Sequence, residues 1–333
     1  MMPDVAKLRL LVVDRRCEWY EAALRDAFPD LEIAAAASFP EAEPHLAGTQ
    51  ILATMGVPLP GLHFTGDVAA RMPSLEWVQC LISGSEHVRK ALAGRDDVLV
   101  TTAAGIHGPQ MSEMALLHML ALARGMRTML RNQAARTWER VPQRVLESRT
   151  VGIVGMGAVG THLAGVCRAF GMRVYGFSRT VRPVPGTDRM FHRDELTRIA
   201  PELDFLVLVV PSAPDARPLV GAELLTAMKP TAYLVNLGRG PVVDEDALIT
   251  ALQAGTIAGA GLDVFAVEPL PADSALWQLE NVIVTPHAGG HHDLYAEQTL
   301  SVLGPNLRAY AGGRRDQMVN LVSGRDSNAG DFS

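Results

Sequence analysis

The stretch TVGIVGMGAVG, residues 150–160, constrains the fold of this chain more than any other. An apolar run ends in Gly155-x-Gly157-x-x-Gly160, and a helical pattern opens directly behind it. Each glycine has a physical role in that arrangement. Gly155 permits the tight turn, Gly157 lets the backbone approach a pyrophosphate, and Gly160 allows the helix to close on the strand. The helix start then offers amide N–H groups and the positive end of its dipole to phosphate. Residues Gly155, Met156, Gly157, Ala158, Val159 and Gly160 are therefore candidate contacts for a dinucleotide. The spacing alone is a weak signal; a second strand pattern, 172–178, one helix later makes it a strong one.

That second strand closes in VYGFSRT. In such a turn the strand end meets the adenosine ribose, where a carboxylate would accept from the 2′-OH and repel a 2′-phosphate. Ser178, Arg179 and Thr180 stand there instead. A hydroxyl can donate and a guanidinium pairs with phosphate oxygens. The residues point to NADP(H), with NAD(H) possible.

Short apolar runs alternate with helical patterns along the chain, which predicts α/β architecture with parallel sheets. Strands are expected near 8–13, 31–36, 50–54, 75–81 and 97–101, and again near 150–154, 172–178, 203–210, 232–236, 257–262 and 282–285. Helices are expected near 17–28, 109–126, 158–170, 193–200, 221–228, 244–253 and 292–311, with a polar connector over 131–149. The fold class is α/β, with two doubly wound, Rossmann-like parallel-sheet domains, and a length of 333 residues agrees with two. Met111–Ala123 is apolar nearly all round, so it is buried on more than one side, in the interior or at a subunit interface. The small polar tail from Ser323 onward is expected to be disordered.

A formal charge of −6 without any Lys/Arg block argues against nucleic acid and anionic membranes as partners. No apolar stretch approaches the length of a membrane span. Cys17, Cys80 and Cys167 match neither a disulfide framework nor a zinc site, and they read as reduced thiols of a cytoplasmic protein. HAGGHH, 287–292, lacks a Cys or carboxylate at ligand spacing, so no metal is expected.

In a parallel sheet the residues past the C-terminal strand ends share one edge, where ligands bind. Arg239 follows one such strand (AYLVNLGRG), Glu268 the next (GAGLDVFAVEP) and His287 the last (NVIVTPHAGG). Reducing a 2-keto acid requires a cation for the substrate oxygens, a proton donor for the forming alkoxide, and a hydride. Arg239 suits the first role. His287 suits the second near neutral pH, and Glu268 would hold its imidazole.

The segments GIVGMGAVG, LVNLGRGPVVDEDAL, GAGLDVFAVEP and VTPHAGG, in this order and spacing, resemble the D-isomer-specific 2-hydroxyacid dehydrogenase family over roughly 45–315. The resemblance implies Arg239, Glu268 and His287 as the catalytic set and Asp263 near the nicotinamide. Val210 and Pro211 would fall on the loop that passes the adenine, with Leu237, Gly238 and Gly289 as further cofactor contacts. It implies a substrate domain of residues 1–103 plus 290–333, with a dinucleotide-binding domain, 104–289, inserted between them. Ser83, Gly84 and Ser85 would hold the substrate carboxylate, with Met55 and Gly56 on a second substrate-facing loop. It also implies a homodimer through the apolar helix and glyoxylate- or hydroxypyruvate-like substrates. Oxidation of a phosphite-type anion and a non-catalytic, corepressor-like cofactor sensor are the alternatives on the same scaffold. Formate is disfavoured because formate-oxidising relatives carry an amide where Glu268 stands.

Overall fold

The structure is a computed structural model that describes residues 8–210 and 218–322. Those residues fall into two compact units, one within Met1–Ile106 and His292–Asn328, the other within His107–His291.

The first unit carries strands β1 (Arg9–Val13), β2 (Glu32–Ala36), β3 (Ile51–Thr54), β4 (Trp77–Cys80) and β5 (Leu99–Thr101). Its helices are α1 (Cys17–Ala27), α2 (Phe39–Ala42), α3 (Gly66–Ala70), α4 (Glu86–Ala91) and, from the C-terminal part of the chain, α11 (Tyr295–Ala311). The sheet order is β2-β1-β3-β4-β5 and every pairing is parallel. β3 and β4 are buried along their whole length, as a strand covered on both faces must be. One face packs Leu11, Val13, Leu52 and Val78 with Phe39, Phe64 and Met72. The other packs Leu10, Val12, Ile51 and Trp77 with Leu303, Leu307 and Tyr310 of α11. The alternation of neighbouring residues between the two clusters is the period-2 signature of the strands.

The second unit carries β6 (Thr150–Val154), β7 (Arg173–Ser178), β8 (Arg189–His192), β9 (Phe205–Leu208), β10 (Tyr233–Asn236), β11 (Gly259–Leu262) and β12 (Val282–Val284). Their order is β12-β11-β10-β9-β6-β7-β8, again all parallel. The order reverses between β6 and β9, the switch point at which open α/β sheets bind ligands. The helices are α5 (Gly108–Ala123), α6 (Met126–Ala134), α7 (Ala158–Ala169), α8 (Leu196–Ile199), α9 (Ala222–Ala227) and α10 (Glu245–Gln253).

Three sequence expectations need correction here. β8 falls where no strand was expected: RMFH lies on the sheet's edge, with only Phe191 buried, so it lacks an apolar run. The long apolar helix stops at Ala123, because Gly125 turns the chain with φ +64°, and α6 then occupies the start of the expected polar connector. α6 buries no residue. It is docked through Arg127, whose guanidinium donates to the carbonyls of Val282 (2.6 Å) and Trp277 (3.0 Å). Finally, the single helix expected over 193–200 is a 3₁₀ turn, one turn of α8, and a second 3₁₀ turn containing Pro201.

Candidate active site

The Gly-rich turn has the close approaches its sequence demands. Gly155 sits at φ +103°, its N–H donates to the Phe177 carbonyl (2.9 Å), and a Cβ there would lie 2.8 Å from Val210 Cγ1. A Cβ on Gly160 would lie 1.9 Å from the Gly155 carbonyl oxygen, so nothing larger than glycine lets α7 close on β6. Gly157 precedes α7 and has no side chain to cap that helix end, so the amides of its first turn can serve an anion. On the next strand end, a Cβ on Gly238 would fall 2.4 Å from the Val210 carbonyl, and the Leu237 N–H donates to the Leu208 carbonyl (3.0 Å). The ends of β6, β9 and β10 thus meet backbone to backbone, bringing Gly155, Val210, Leu237 and Gly238 together. Met156 is buried and packs over Gly176 of β7. Pro211 lies outside the described residues.

At the end of β7 the Ser178 hydroxyl donates to the Thr180 carbonyl (2.6 Å), and Arg179 and Thr180 are exposed. β8 adds something the sequence reading missed. His192 pairs with Ser178, so Arg193 leaves the sheet in step with Arg179 on the adjacent strand. The Nε atom of Arg193 is buried with no acceptor among the described residues.

Two loops further along the edge hold the residues expected to do acid–base work. After β12 the chain turns at His287, a non-glycine residue at φ +51°. Its backbone N–H donates to the carbonyls of Asp263 (2.9 Å) and Thr285 (3.0 Å). Its imidazole Nδ1 lies 2.6 Å from Glu268 Oε2. The other carboxylate oxygen, Oε1, accepts from the Phe265 N–H (3.0 Å), which fixes the carboxylate that holds the ring. With Nδ1 engaged, Nε2 is the nitrogen left for a substrate, and the His287 side chain is half exposed. Glu245, in the first turn of α10, accepts from the Ala266 N–H (3.0 Å) and pins the same loop.

Arg239 is joined to this loop through its neighbour. A Cβ on Gly240 would lie 1.8 Å from the Phe265 carbonyl oxygen, so the β10 and β11 loops touch there. Asn236 accepts from the Gly238 N–H and donates to the Arg239 carbonyl, each at 3.1 Å, bracing the exposed arginine.

Beneath His287 lies Asp263, almost fully buried. Its Oδ1 accepts from the Thr285 hydroxyl (2.5 Å) and the Ala288 N–H (2.9 Å), and its Oδ2 accepts from the Gly289 N–H (2.9 Å). Behind Thr285 stands His118 of α5, fully buried, with Nε2 3.0 Å from the Thr285 hydroxyl oxygen. Burial pushes His118 down to about 4, against the opposing pull of the Asp263 charge. His118 and Thr285 were absent from the sequence candidates; a lone histidine inside LLHML was the available signal.

The remaining candidates lie in the first unit. Gly56, at φ +66°, packs against Val88 at the start of α4, where a Cβ would come within 2.6 Å. The Gly56 N–H donates to Thr54 Oγ1 (3.1 Å). Ser83, Gly84 and Ser85 lead into the same helix, so the loops after β3 and β4 adjoin. Met55 packs against the Trp77 side of the sheet.

Residues 116–289 match the family described as D-isomer specific 2-hydroxyacid dehydrogenase, NAD binding domain. The chain belongs to the D-isomer specific 2-hydroxyacid dehydrogenase family. A glyoxylate reductase of Korarchaeum cryptofilum is 33% identical over 263 residues, 77% of this chain and 79% of the relative. A glyoxylate/hydroxypyruvate reductase B of Yersinia enterocolitica reaches 47% identity over 144 residues, but that stretch spans less than half of either chain, 42% of this one and 44% of the relative. Among solved structures, a D-isomer specific 2-hydroxyacid dehydrogenase family protein from Aeromonas salmonicida superposes with a TM-score of 0.84 at 31% identity, covering 98% of this chain and 100% of that one. The NADPH-dependent glyoxylate/hydroxypyruvate reductase of Sinorhizobium meliloti, determined with NADP and sulfate, gives 0.78 at 28% identity, over 95% and 98% of the two chains. The family assignment accounts for the glycine-lined cradle, since a nicotinamide dinucleotide is the ligand of its matched domain. Among the described residues no helix is long and apolar enough to cross a membrane.

Proposed function

We propose that this protein reduces a small 2-keto acid of the glyoxylate or hydroxypyruvate kind to the D-2-hydroxy acid, with NADP(H) preferred over NAD(H). The observation that carries the reading is the His287–Glu268 pair, 2.6 Å apart at the same sheet edge as the Gly-rich turn. A bound, reduced nicotinamide supplies the hydride. The chain's own residues do the rest. His287, held at Nδ1 by Glu268, presents Nε2 and delivers a proton to the oxygen that becomes the hydroxyl. Glu268 stabilises the protonated ring and keeps it in one orientation. Arg239 draws the substrate carboxylate and carbonyl into register, and its fork geometry suits both. Asp263 and Gly289 shape the floor of the nicotinamide site. Gly155 to Gly160 and Val210 would hold the diphosphate and adenosine.

The NADP(H) preference rests on Ser178 and Arg179, supported by Arg193 in step with them on β8. The first unit, with Met55–Gly56 and Ser83–Ser85, would bind the substrate carboxylate through backbone N–H groups. A homodimer through the second unit goes with this reading: Leu117, Met126 and Leu130 stand exposed along α5 and α6. So does a cytoplasmic location, since all three cysteines are free and Cys80 and Cys167 are buried.

The test is turnover. Purified protein with NADPH or NADH, offered glyoxylate, hydroxypyruvate, pyruvate and phenylpyruvate, should oxidise the nucleotide fastest with glyoxylate and hydroxypyruvate. No oxidation on any 2-keto acid, with reduction of NADP⁺ or NAD⁺ by phosphite, would transfer the reading to anion oxidation. Nucleotide binding without any turnover would favour a cofactor sensor.

A further inference from the structure

The active-site loop is fastened from behind by a residue that the proposed mechanism leaves unused. His118 sits at the middle of α5, fully buried, and among the described residues its side chain makes one hydrogen bond, to Thr285. The proton count fixes its direction. Thr285 has one hydroxyl proton. Asp263 Oδ1, 2.5 Å away and already accepting from the Ala288 N–H, is the acceptor for it. The Thr285 oxygen must then receive from His118, so the imidazole carries its proton on Nε2. Nδ1 is left as a bare lone pair, buried and without a partner among the described residues, a smaller cost than a bare N–H.

The fold makes room for this ring. β11 has glycine at 261, where a Cβ would fall 2.6 Å from His118 Nδ1 and 2.8 Å from its Cβ, so the histidine packs directly against strand backbone. A leucine or methionine, the residue types filling the rest of LLHML, would pack such a slot without any polar atom to satisfy. The chain keeps a histidine there, at the head of a one-way series of donors: His118 to Thr285, Thr285 to Asp263.

We propose that His118 is a positioning residue for the reaction: through Thr285 it fixes the Asp263 carboxylate, and through Asp263 the backbone of residues 287–289 that carries the proton donor His287. The inference rests on the functional reading above. Asp263 binds that backbone three times, through its own carbonyl to the His287 N–H and through its carboxylate to the Ala288 and Gly289 N–H groups. With the Nε2–H removed, the Thr285 hydroxyl is free to turn away, and Oδ1 loses its shortest hydrogen bond.

Three variants separate this role from mere packing. His118→Phe keeps the ring volume and removes the donor. His118→Gln restores an N–H near the same place. Thr285→Val removes the relay oxygen at constant shape. His118→Phe and Thr285→Val should each lower kcat about tenfold, since each frees Asp263 Oδ1 from a held Thr285 hydroxyl, the weight of one hydrogen bond to a charged group. The alkaline limb of the kcat/KM pH profile should move with it. His118→Gln should return both toward wild type, and the Phe/Val double variant should be no worse than either single. Unchanged pH profiles, or a Gln variant as slow as Phe, overturn the proposal. Imidazole ¹⁵N–¹H spectra of the wild-type protein give a readout independent of turnover. A neutral Nε2–H tautomer for His118, perturbed by Thr285→Val, supports the relay even should no 2-keto acid be reduced. An Nδ1–H tautomer defeats the relay whatever the enzyme does.

Discussion

At the C-terminal edge of the seven-stranded sheet the His287, Glu268 and Asp263 side chains are each held by a partner. Glu268 grips the His287 ring, Phe265 N–H grips Glu268, and Asp263 grips the loop from below. At the same edge of the five-stranded sheet the candidates other than Met55 are small: Gly56, Ser83, Gly84 and Ser85 offer backbone and short hydroxyls. The difference teaches how labour divides in such a protein. Proton transfer needs side chains fixed in orientation, so it demands buried supporting bonds. Holding a carboxylate needs N–H groups at the right curvature, which a glycine-rich turn provides without side-chain chemistry.

The largest effect should come from the side where side chains act. His287→Gln should lower kcat by about 10²–10⁴, the usual weight of a general acid. Nucleotide affinity, followed by NADPH fluorescence, should stay near wild type. Equal loss of binding and turnover would mean that His287 builds the cofactor site instead.

The second effect concerns stability. His118 has its pKa lowered in the folded state to about 4 from 6.5. The unfolded chain therefore binds the extra proton between those values, and stability is fully present above pH 6.5 and lost as pH falls toward 4. The residue should account for roughly 3 kcal/mol over that window, at about 1.4 kcal/mol per pH unit. Urea unfolding at pH 7 and 4.5 should show the loss, and His118→Phe should flatten that part of the curve.

Smaller still is the cofactor choice. Arg179→Ala should raise KM for NADPH about tenfold while leaving NADH unchanged, as loss of one charge-assisted phosphate contact requires. A protein that prefers NADH from the outset breaks this part of the reading. The smallest effect belongs to the five-stranded edge. Ser85→Ala should change KM for the keto acid by no more than about threefold, since backbone N–H groups survive the substitution. A hundredfold loss there would erase the contrast between the two edges.

Legibility in the sequence followed the same division. Gly155 and Gly160 were visible because close backbone approach admits one residue type, and the structure places a neighbour within 3 Å of each missing Cβ. His287 and Glu268 stood out as polar residues directly beyond strand patterns. β8 was hidden because an edge strand with one buried residue has no apolar alternation. α6 was hidden because its docking uses arginine to carbonyl bonds, which sequence composition reads as a solvated loop. The His118–Thr285 contact joins residues 167 positions apart, and neither residue type announces it. Networks of that kind depend on which helix crosses which strand, information that emerges only when the chain has folded.

The left-handed backbone at His287, φ +51°, has an evolutionary reading. Glycine or asparagine would sit there more comfortably, by about 1 kcal/mol. A saturation library at this position, ranked by melting temperature, should place those two above histidine; ranked by turnover, it should place histidine first. On the proposed function, selection for heat tolerance alone would therefore erode activity at this position early.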